Sequence, residues 1–149
     1  MQIFFVIPGE PQGKARPRFA RSTGRIYTAP RTWLYEDLVR QCFRHKYKNG
    51  ERFGDADELK AVIVAYFKIP ISTPKKKREE MLLGIKHPVR TPDTDNIAKI
   101  ILDSLNGLAY KDDSKVVQLI VQKRFSDEPR VEVLIWNDKN TGDDYGWLD

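Results

Sequence analysis

Four stretches of the chain are rich in apolar residues and show, wholly or in part, the side-chain period of two that predicts β-strands. The strands are expected over residues 3–7, 58–70, 116–125 and 130–136. Phe4 and Val6 add apolar side chains to the second face of the first strand, so we expect that strand to be covered mostly on both faces. Residues 16–28 are typical of a hairpin that turns at Ser22-Thr23-Gly24.

Apolar positions three to four residues apart predict three helices. They are expected over residues 30–47, from Thr73 to about Gly84, and from about Asp95 to Asn106-Gly107. Pro30 suits the first turn of a helix, and Gly84 suits the residue after a helix end. The resulting order of strand, hairpin, helix, strand, two helices and two strands indicates an α+β fold. We expect a single domain whose mixed, mostly antiparallel sheet packs against the helices.

The length of 149 residues fits one compact domain. We assign residues 1–137 to this domain and residues 138–149 to an acidic, flexible tail. The single cysteine, Cys42, excludes a disulfide framework and a cysteine-based zinc site. No apolar run approaches the roughly 18 residues of a membrane span. The first ten residues lack a basic leader, so a cytoplasmic location is expected. The phosphate-binding loop GxxxxGK[ST] is absent, which argues against a nucleotide cofactor.

Charge is unevenly distributed along this chain of formal net charge +5. Residues 1–50 contain ten Lys or Arg and three acidic residues, whereas residues 91–113 contain five Asp and two Lys. A basic protein with a local acidic segment suits a polyanionic partner that meets a cation-binding pocket. A basic surface that only maintains solubility explains the composition equally well.

Two aspartates, Asp93 and Asp95, stand just before the third expected helix. Residues two apart in extended chain face the same way, so both carboxylates could bind one metal ion. Aspartate is also a favoured N-cap residue, and capping explains the pair as well as metal binding does. Lys99 and Asp103 follow Asp95 at four-residue intervals and extend a polar stripe along the helix.

A second acidic pair, Asp112-Asp113, follows an apolar segment and precedes a strand. A loop there could return these carboxylates to the start of the helix, although Lys-Asp-Asp-Ser also suits a solvated turn. Three convergent aspartates, Asp93, Asp95 and Asp113, would suit Mg²⁺, for which Mn²⁺ could substitute, because these cations prefer oxygen ligands. Such an ion activates water for attack on a phosphodiester. Lys99 could then orient that water or stabilise charge on phosphorus.

The segment PDTDNIAKIILDSLNGLAYKDDSKV resembles the signature of the RusA family of Holliday junction resolvases. The N-terminal IPGEPQGKARPRF resembles the opening strand and basic segment of that family, so the resemblance covers roughly residues 1–137. It implies a homodimer that makes paired nicks in four-way DNA with Mg²⁺, in recombination and repair, encoded by bacterial or prophage genomes. By motif position it implies that Asp93, Asp95 and Asp113 are the catalytic aspartates and that Lys99 is the catalytic lysine.

The active-site cation has a rival, because Pro92-Asp93 and Asp113-Ser114-Lys115 also fit the short PD-(D/E)xK nuclease pattern. We favour Lys99 over Lys115. Asp103 is interpreted as support for Lys99 or for metal-bound water, and Asp112 receives no role.

Basic residues crowd the predicted hairpin and suggest a clamp for the DNA backbone. The expected DNA contacts are Lys14, Arg16, Arg18, Arg21 and Arg25, with Arg90 beside the scissile phosphate. Two alternatives remain open for the function. One is a nuclease with the same site that prefers flaps or forks, and the other is a non-catalytic nucleic-acid-binding protein.

Overall fold

The computed structural model describes residues 1–27 and 29–138. In chain order the elements are β1 (Gln2–Pro8), β2 (Arg18–Ala20), β3 (Arg25–Tyr27), α1 (Pro30–Lys46), β4 (Leu59–Lys68), α2 (Lys75–Leu82), α3 (Thr94–Ser104), a short 3₁₀ turn (Asp113–Lys115), β5 (Val116–Ser126) and β6 (Arg130–Trp136). This order confirms the predicted succession of strands and helices and the α+β class. The hairpin of β2 and β3 turns through residues 21–24, as predicted, with Gly24 at a positive φ of 66°.

The four long strands form one mixed sheet in the order β1-β6-β4-β5. Strand β6 is antiparallel to both β1 and β4, whereas β4 and β5 are parallel. Strands β5 and β6 are consecutive in sequence, yet β4 lies between them. Strands β1 and β5 therefore form the two edges of the sheet. Strand β5 also contacts α2 and α3.

Helices α1 and α3 cover one face of the sheet, and the core lies between them and the strands. Burial alternates along β1, β4 and β6, as the period of two predicts. The rings of Phe5 and Phe43 meet edge to face, with centroids 5.6 Å apart. The largest fully buried apolar side chains of β1, β4, α1 and α3 are Ile3, Phe5, Ile7, Phe43, Leu59, Ile63, Phe67, Ile97 and Ile100.

The opposite face of the sheet is not covered to the same degree. Phe4 and Val6 keep 37% and 39% of their surface exposed, so the expectation that β1 is mostly covered on both faces is wrong. Strand pairing places Phe4 beside Leu134, Leu134 beside Val62, and Val62 beside Ile120. An apolar row therefore crosses all four strands on the face away from α1 and α3, and each of its residues is at least partly exposed.

The first residue of the predicted tail lies within the described part of the chain. The carboxylate of Asp138 lies 2.7 Å from the ammonium of Lys60 on β4, so this first tail residue contacts the domain. The rest of the predicted tail, residues 139–149, lies outside the described residues. Of the helices in the described part of the chain, none is long and apolar enough to span a bilayer.

Replacing Ile63 with alanine should destabilise the protein by about 2–5 kcal/mol, because Ile63 is fully buried on the central strand β4 and its loss leaves a cavity. The matched control is Ile71→Ala, which removes the same atoms from a side chain that is 92% exposed and should cost less than about 0.5 kcal/mol. Urea unfolding measures both. Equal losses in the two variants would contradict the described core.

Candidate active site

The start of α3 presents two exposed carboxylates. Asp93 occupies the N-cap position in extended conformation, with φ −72° and ψ 157°, and Asp95 lies in the first turn. The Asp93 side chain makes no capping hydrogen bond. Its backbone carbonyl accepts from the N–H of Ile97 at 3.0 Å, so the helix starts without using the carboxylate. The Asp93 side chain therefore does not cap the helix, and its carboxylate oxygens are available to a ligand.

The polar stripe of α3 runs from Asp95 through Lys99 to Asp103, as predicted from their spacing. Eight residues of helix separate Asp95 from Asp103, which is about 12 Å along the axis. Asp95 and Lys99 are exposed, whereas Asp103 is half-buried. The expectation that Asp103 supports Lys99 needs correction, because the ammonium that Asp103 contacts belongs to Lys14, at 2.7 Å.

Lys14 joins the N-terminal segment to two helices. Its ammonium lies 2.7 Å from Asp103 of α3 and 3.6 Å from Glu36 of α1. Partial burial lowers the pKa of Lys14, but the hydrogen bond to Asp103 and the charge of Glu36 outweigh it, so the pKa is raised overall. Lys14 is predicted to contact DNA, but in this structure its charge is engaged by two carboxylates instead. Sequence patterns do not identify Glu36 as a site residue, because its partner Lys14 lies on a different segment of the chain.

The backbone next to Lys14 lies directly against the start of α3. The N–H of Lys14 donates to the carbonyl of Asn96 at 3.2 Å. A Cβ on Gly13 would lie 2.8 Å from Cβ of Pro92 and 3.1 Å from Cβ of Asn96, distances that side chains do not tolerate. Glycine at position 13 therefore permits this close approach, which holds the N-terminal segment beside Asp93 and Asp95.

The two adjacent acids before β5 have different environments. Asp112 accepts a hydrogen bond from the N–H of Ser114 at 3.0 Å, and hydrogen bonds from the side chain and the backbone of Ser114 lower the pKa of Asp112. Asp113 instead lies beside Asp103 and is half-buried. Burial raises the pKa of Asp113, and the negative charges of Asp103 and Asp112 raise it further. Asp112 thus stabilises the turn, and Asp113 is the acid that faces α3.

A short anchored connection decides where Asp113 lies. Tyr110 is buried and donates its O–H to the carbonyl of Leu102 at 2.7 Å. Asn106 accepts the N–H of Asp113 at 2.8 Å, after a tight turn at Gly107, where φ is 74°. The chain therefore returns Asp113 to Asp103 in the last turn of α3. The sequence also permits a return of Asp113 to the start of α3, but the anchored connection brings it to the end of the helix instead.

The carboxylates suit a hard divalent cation by their chemistry, because oxygen donors are what Mg²⁺ and Mn²⁺ prefer. Whether these carboxylates lie close enough together to bind one ion is a separate question. In the described ranges no three His, Cys, Asp or Glu residues are grouped closely enough to hold a metal ion. Asp93 and Asp95 lie at the first turn of α3, and Asp113 lies beside Asp103 at its end. Metal binding by Asp93, Asp95 and Asp113 together stays a prediction.

The basic hairpin projects arginines and apolar side chains into solvent. Arg16, Arg21 and Arg25 are exposed, whereas Arg18 belongs to β2 and its side chain lies outside the described part. Phe19 and Ile26 are paired across the hairpin and are 63% and 72% exposed. This surface agrees with the expected availability of arginine for phosphate contacts, without testing it.

Arg90 and Lys115 are both placed near the sheet. The guanidinium of Arg90 lies 5.4 Å from the ring centroid of Phe67 and 3.8 Å from the carboxylate of Glu10. Arg90 remains about half exposed, so it can still reach a phosphate.

Lys115 ends the 3₁₀ turn two residues after Asp113 and is half-buried, whereas Lys99 is exposed. The choice between Lys99 and Lys115 stays open on these positions.

A cavity beside α3 contains residues that the sequence analysis did not single out as site residues. Its volume is about 490 Å³, and it lies between the end of α2, the start of α3 and β5. The lining residues are Leu83, Gly84, His87, Thr94, Gln122, Lys123 and Arg124. Lys123 and Arg124 are adjacent polar residues within the strand β5, so their sequence pattern indicates only a strand surface.

Fold and candidate site together define a small α+β protein with acidic residues on one helix and a basic hairpin, a combination typical of enzymes that cut nucleic acids. The family model described as endodeoxyribonuclease RusA matches residues 8–136. The chain therefore belongs to the RusA family of endodeoxyribonucleases. It is also similar to the uncharacterized protein YqaN of Bacillus subtilis (strain 168), with 35% identity over 138 residues that cover 89% of this chain and 94% of that protein.

Lys14 and Asp103 should be energetically coupled by about 1–3 kcal/mol in a double-mutant cycle of Lys14→Met and Asp103→Asn. Their side chains are only 24% and 23% exposed, so water weakens their interaction less than at the surface. The control cycle uses Arg52→Met and Asp55→Asn, an exposed pair at 3.6 Å that should couple by less than about 0.5 kcal/mol. Thermal or urea unfolding measures both. Equal coupling in the two cycles would contradict an internal role for Lys14.

Proposed function

We propose that this protein is a Mg²⁺-dependent endonuclease that resolves four-way DNA junctions by paired nicks in recombination and repair. The carrying observation is the family match over residues 8–136, which contains each residue that we assign to the chemistry. The exposed Asp93 carboxylate, which takes no part in capping, adds a site-level reason. A purely structural role would have used that carboxylate in a hydrogen bond to the helix.

The proposed metal ligands are Asp93, Asp95 and Asp113, with Mn²⁺ able to replace Mg²⁺. A bound divalent cation would supply an activated water and shield the phosphate from the negative charge of the site. Asp113 has a physical reason to bind a cation, because the neighbouring charge of Asp103 opposes its ionised form. Lys14 supplies one positive charge to the group formed by Glu36, Asp103 and Asp113. That group keeps an excess of negative charge, which favours a further cation.

A second copy of this chain is the proposed partner protein. Cutting two strands of a two-fold symmetric junction requires two symmetry-related sites, which a homodimer supplies. The apolar row Phe4, Leu134, Val62 and Ile120 offers a surface for this contact, because it crosses the sheet and is incompletely covered within the chain. Self-association through this face would remove apolar area from water.

DNA binding is assigned to the arginines on and beside the hairpin, Arg16, Arg18, Arg21 and Arg25, together with Arg90. Arginine binds phosphate through two parallel hydrogen bonds and stays charged at all relevant pH values. No base-reading motif accompanies these arginines, so the shape of branched DNA, rather than its sequence, is the proposed determinant of recognition.

Asp93→Asn should bind four-way junctions but cut them at least about 100-fold more slowly, because a metal ligand is lost while the fold and basic surface remain. The matched control, Asp55→Asn, changes an exposed loop aspartate and should cut at the wild-type rate. The assay compares a cruciform plasmid, a fork, a flap and linear duplex, with Mg²⁺, Mn²⁺ or EDTA. A linear plasmid product reports paired nicks within one binding event, which also tests the dimer.

Each outcome of that assay distinguishes one function from another. Preferential cutting of forks or flaps would replace junction resolution by a different branched-DNA nuclease. Junction binding without cleavage in any metal would indicate a non-catalytic DNA-binding protein. Undiminished cleavage by Asp93→Asn would remove Asp93 from the metal site.

Lys99→Ala should reduce the single-turnover cleavage rate by about 10²-fold or more, whereas Lys115→Ala should have little effect. Lys99 lies exposed on the polar stripe between Asp95 and Asp103, where a scissile phosphate between the carboxylate groups would pass. Junction affinity measured in EDTA for both variants separates lost binding from lost chemistry. Loss of cleavage only in Lys115→Ala would reverse the assignment.

A further inference from the structure

The cavity of about 490 Å³ beside edge strand β5 has a lining of one charge sign. Lys123 and Arg124 contribute cationic groups, and His87 contributes an imidazole. The other lining residues are Leu83, Gly84, Thr94 and Gln122, so no acidic side chain lines it. Its volume lies in the range of small-ligand sites and has room for a nucleotide-sized group.

Arg124 is positioned by packing rather than by a carboxylate. A Cβ on Gly84 would lie 2.7 Å from Nη2 of Arg124 and 3.4 Å from its Cζ, so the guanidinium lies directly on the glycine backbone. Gly84 has a positive φ of 77°, which favours glycine, and its lack of a side chain leaves room for the guanidinium. Across residues 1–27 and 29–138, no salt bridge to Arg124 is formed.

Lys123 is likewise held without a counter-ion. Its ammonium donates to the carbonyl oxygen of Arg90 and lies 5.1 Å from the ring centroid of Phe67. Within the described ranges it too makes no salt bridge to a carboxylate. Two cationic residues thus line one cavity without a counter-ion among the described residues, and a bound anion would supply one.

The cavity adjoins the candidate active site. Thr94 lines it, and Thr94 stands between Asp93 and Asp95 at the first turn of α3. The N-terminal amides of this eleven-residue helix add partial positive charge at the same end. The cavity has a basic lining, its cations lack a counter-ion in the described part of the chain, and it lies next to these aspartates. Together these features indicate that the cavity binds an anion that belongs to the substrate.

We propose that this cavity binds a backbone phosphate of the DNA adjacent to the scissile phosphate, with Arg124 and Lys123 as its main contacts. This inference rests on the proposed nuclease function and adds to it a contact that is separate from the basic hairpin. A contact so close to Asp93 would fix the position of the strand to be cut, which is a positioning role for Arg124 and Lys123.

Arg124→Gln and Lys123→Gln should each weaken junction binding in EDTA by roughly 3- to 10-fold at moderate salt. Each should also lower the slope of log Kd against log salt concentration by about 0.9, the contribution of one phosphate contact. The matched controls, Arg44→Gln and Lys48→Gln, remove the same charges from exposed positions outside the cavity and should leave both quantities nearly unchanged. Arg124→Lys should retain most of the salt dependence, because the charge remains.

Cleavage kinetics and an NMR titration complete the test. Wild-type junction cleavage with unchanged affinity and salt slope in the Gln variants would overturn this inference and leave the nuclease function intact. Absence of both junction binding and cleavage in the wild type would overturn the nuclease function itself, and the inference with it. Amide shifts of Thr94 and Lys123 on adding DNA support the backbone contact. Saturation of those shifts by a mononucleotide or inorganic phosphate, with no response to DNA, would overturn it in favour of a small-molecule site.

Discussion

The ion pair between Lys14 and Asp103 is the interaction on which the rest of the candidate site depends. Its 2.7 Å contact, with Glu36 at 3.6 Å, joins the N-terminal segment, α1 and α3 in a region largely shielded from water. Gly13 allows the same segment to lie against Pro92 and Asn96, so both ends of α3 are held by neighbouring residues of one chain segment. The acidic helix is therefore fixed in place before any metal or DNA is bound.

This arrangement explains why the aspartates of the site are not equivalent. Asp103 is neutralised by Lys14, and Asp112 is engaged by the N–H of Ser114. Asp93 and Asp95 have neither kind of partner among the described hydrogen bonds and salt bridges, whereas Asp113 lies against Asp103, and burial together with that charge disfavours its ionisation. Holding Asp113 beside a like charge opposes its ionised form, and carboxylates perturbed in this way cluster at functional sites. Under the proposed function, a bound cation would offset that cost.

Local patterns along the sequence predicted the succession of elements, because burial in β1, β4 and β6 follows the period of two and α3 buries its isoleucines on one side. They could not predict the contacts that define the site. Lys14 and Asp103 are 89 residues apart, so no local signal links them, and a DNA contact by Lys14 stays a prediction. The prediction that Phe4 is covered was wrong for a related reason. The sequence shows that a side chain is apolar, but it does not show whether another element packs on it.

The positive groups of the protein form two sets that differ in how they are joined to the main sheet. Arg16, Arg21 and Arg25 lie on or beside a two-stranded hairpin that pairs with no strand of the main sheet. Arg124 and Lys123 lie on β5, paired along its length with β4, where the Arg124 guanidinium lies against Gly84 and the Lys123 ammonium donates to the carbonyl of Arg90. Under the proposed function, a separate hairpin suits the capture of DNA arms, whereas cations on the main sheet beside Asp93 suit the placement of one phosphate for cutting. Selection of branched DNA and accuracy of the cut would then depend on different strands of this fold.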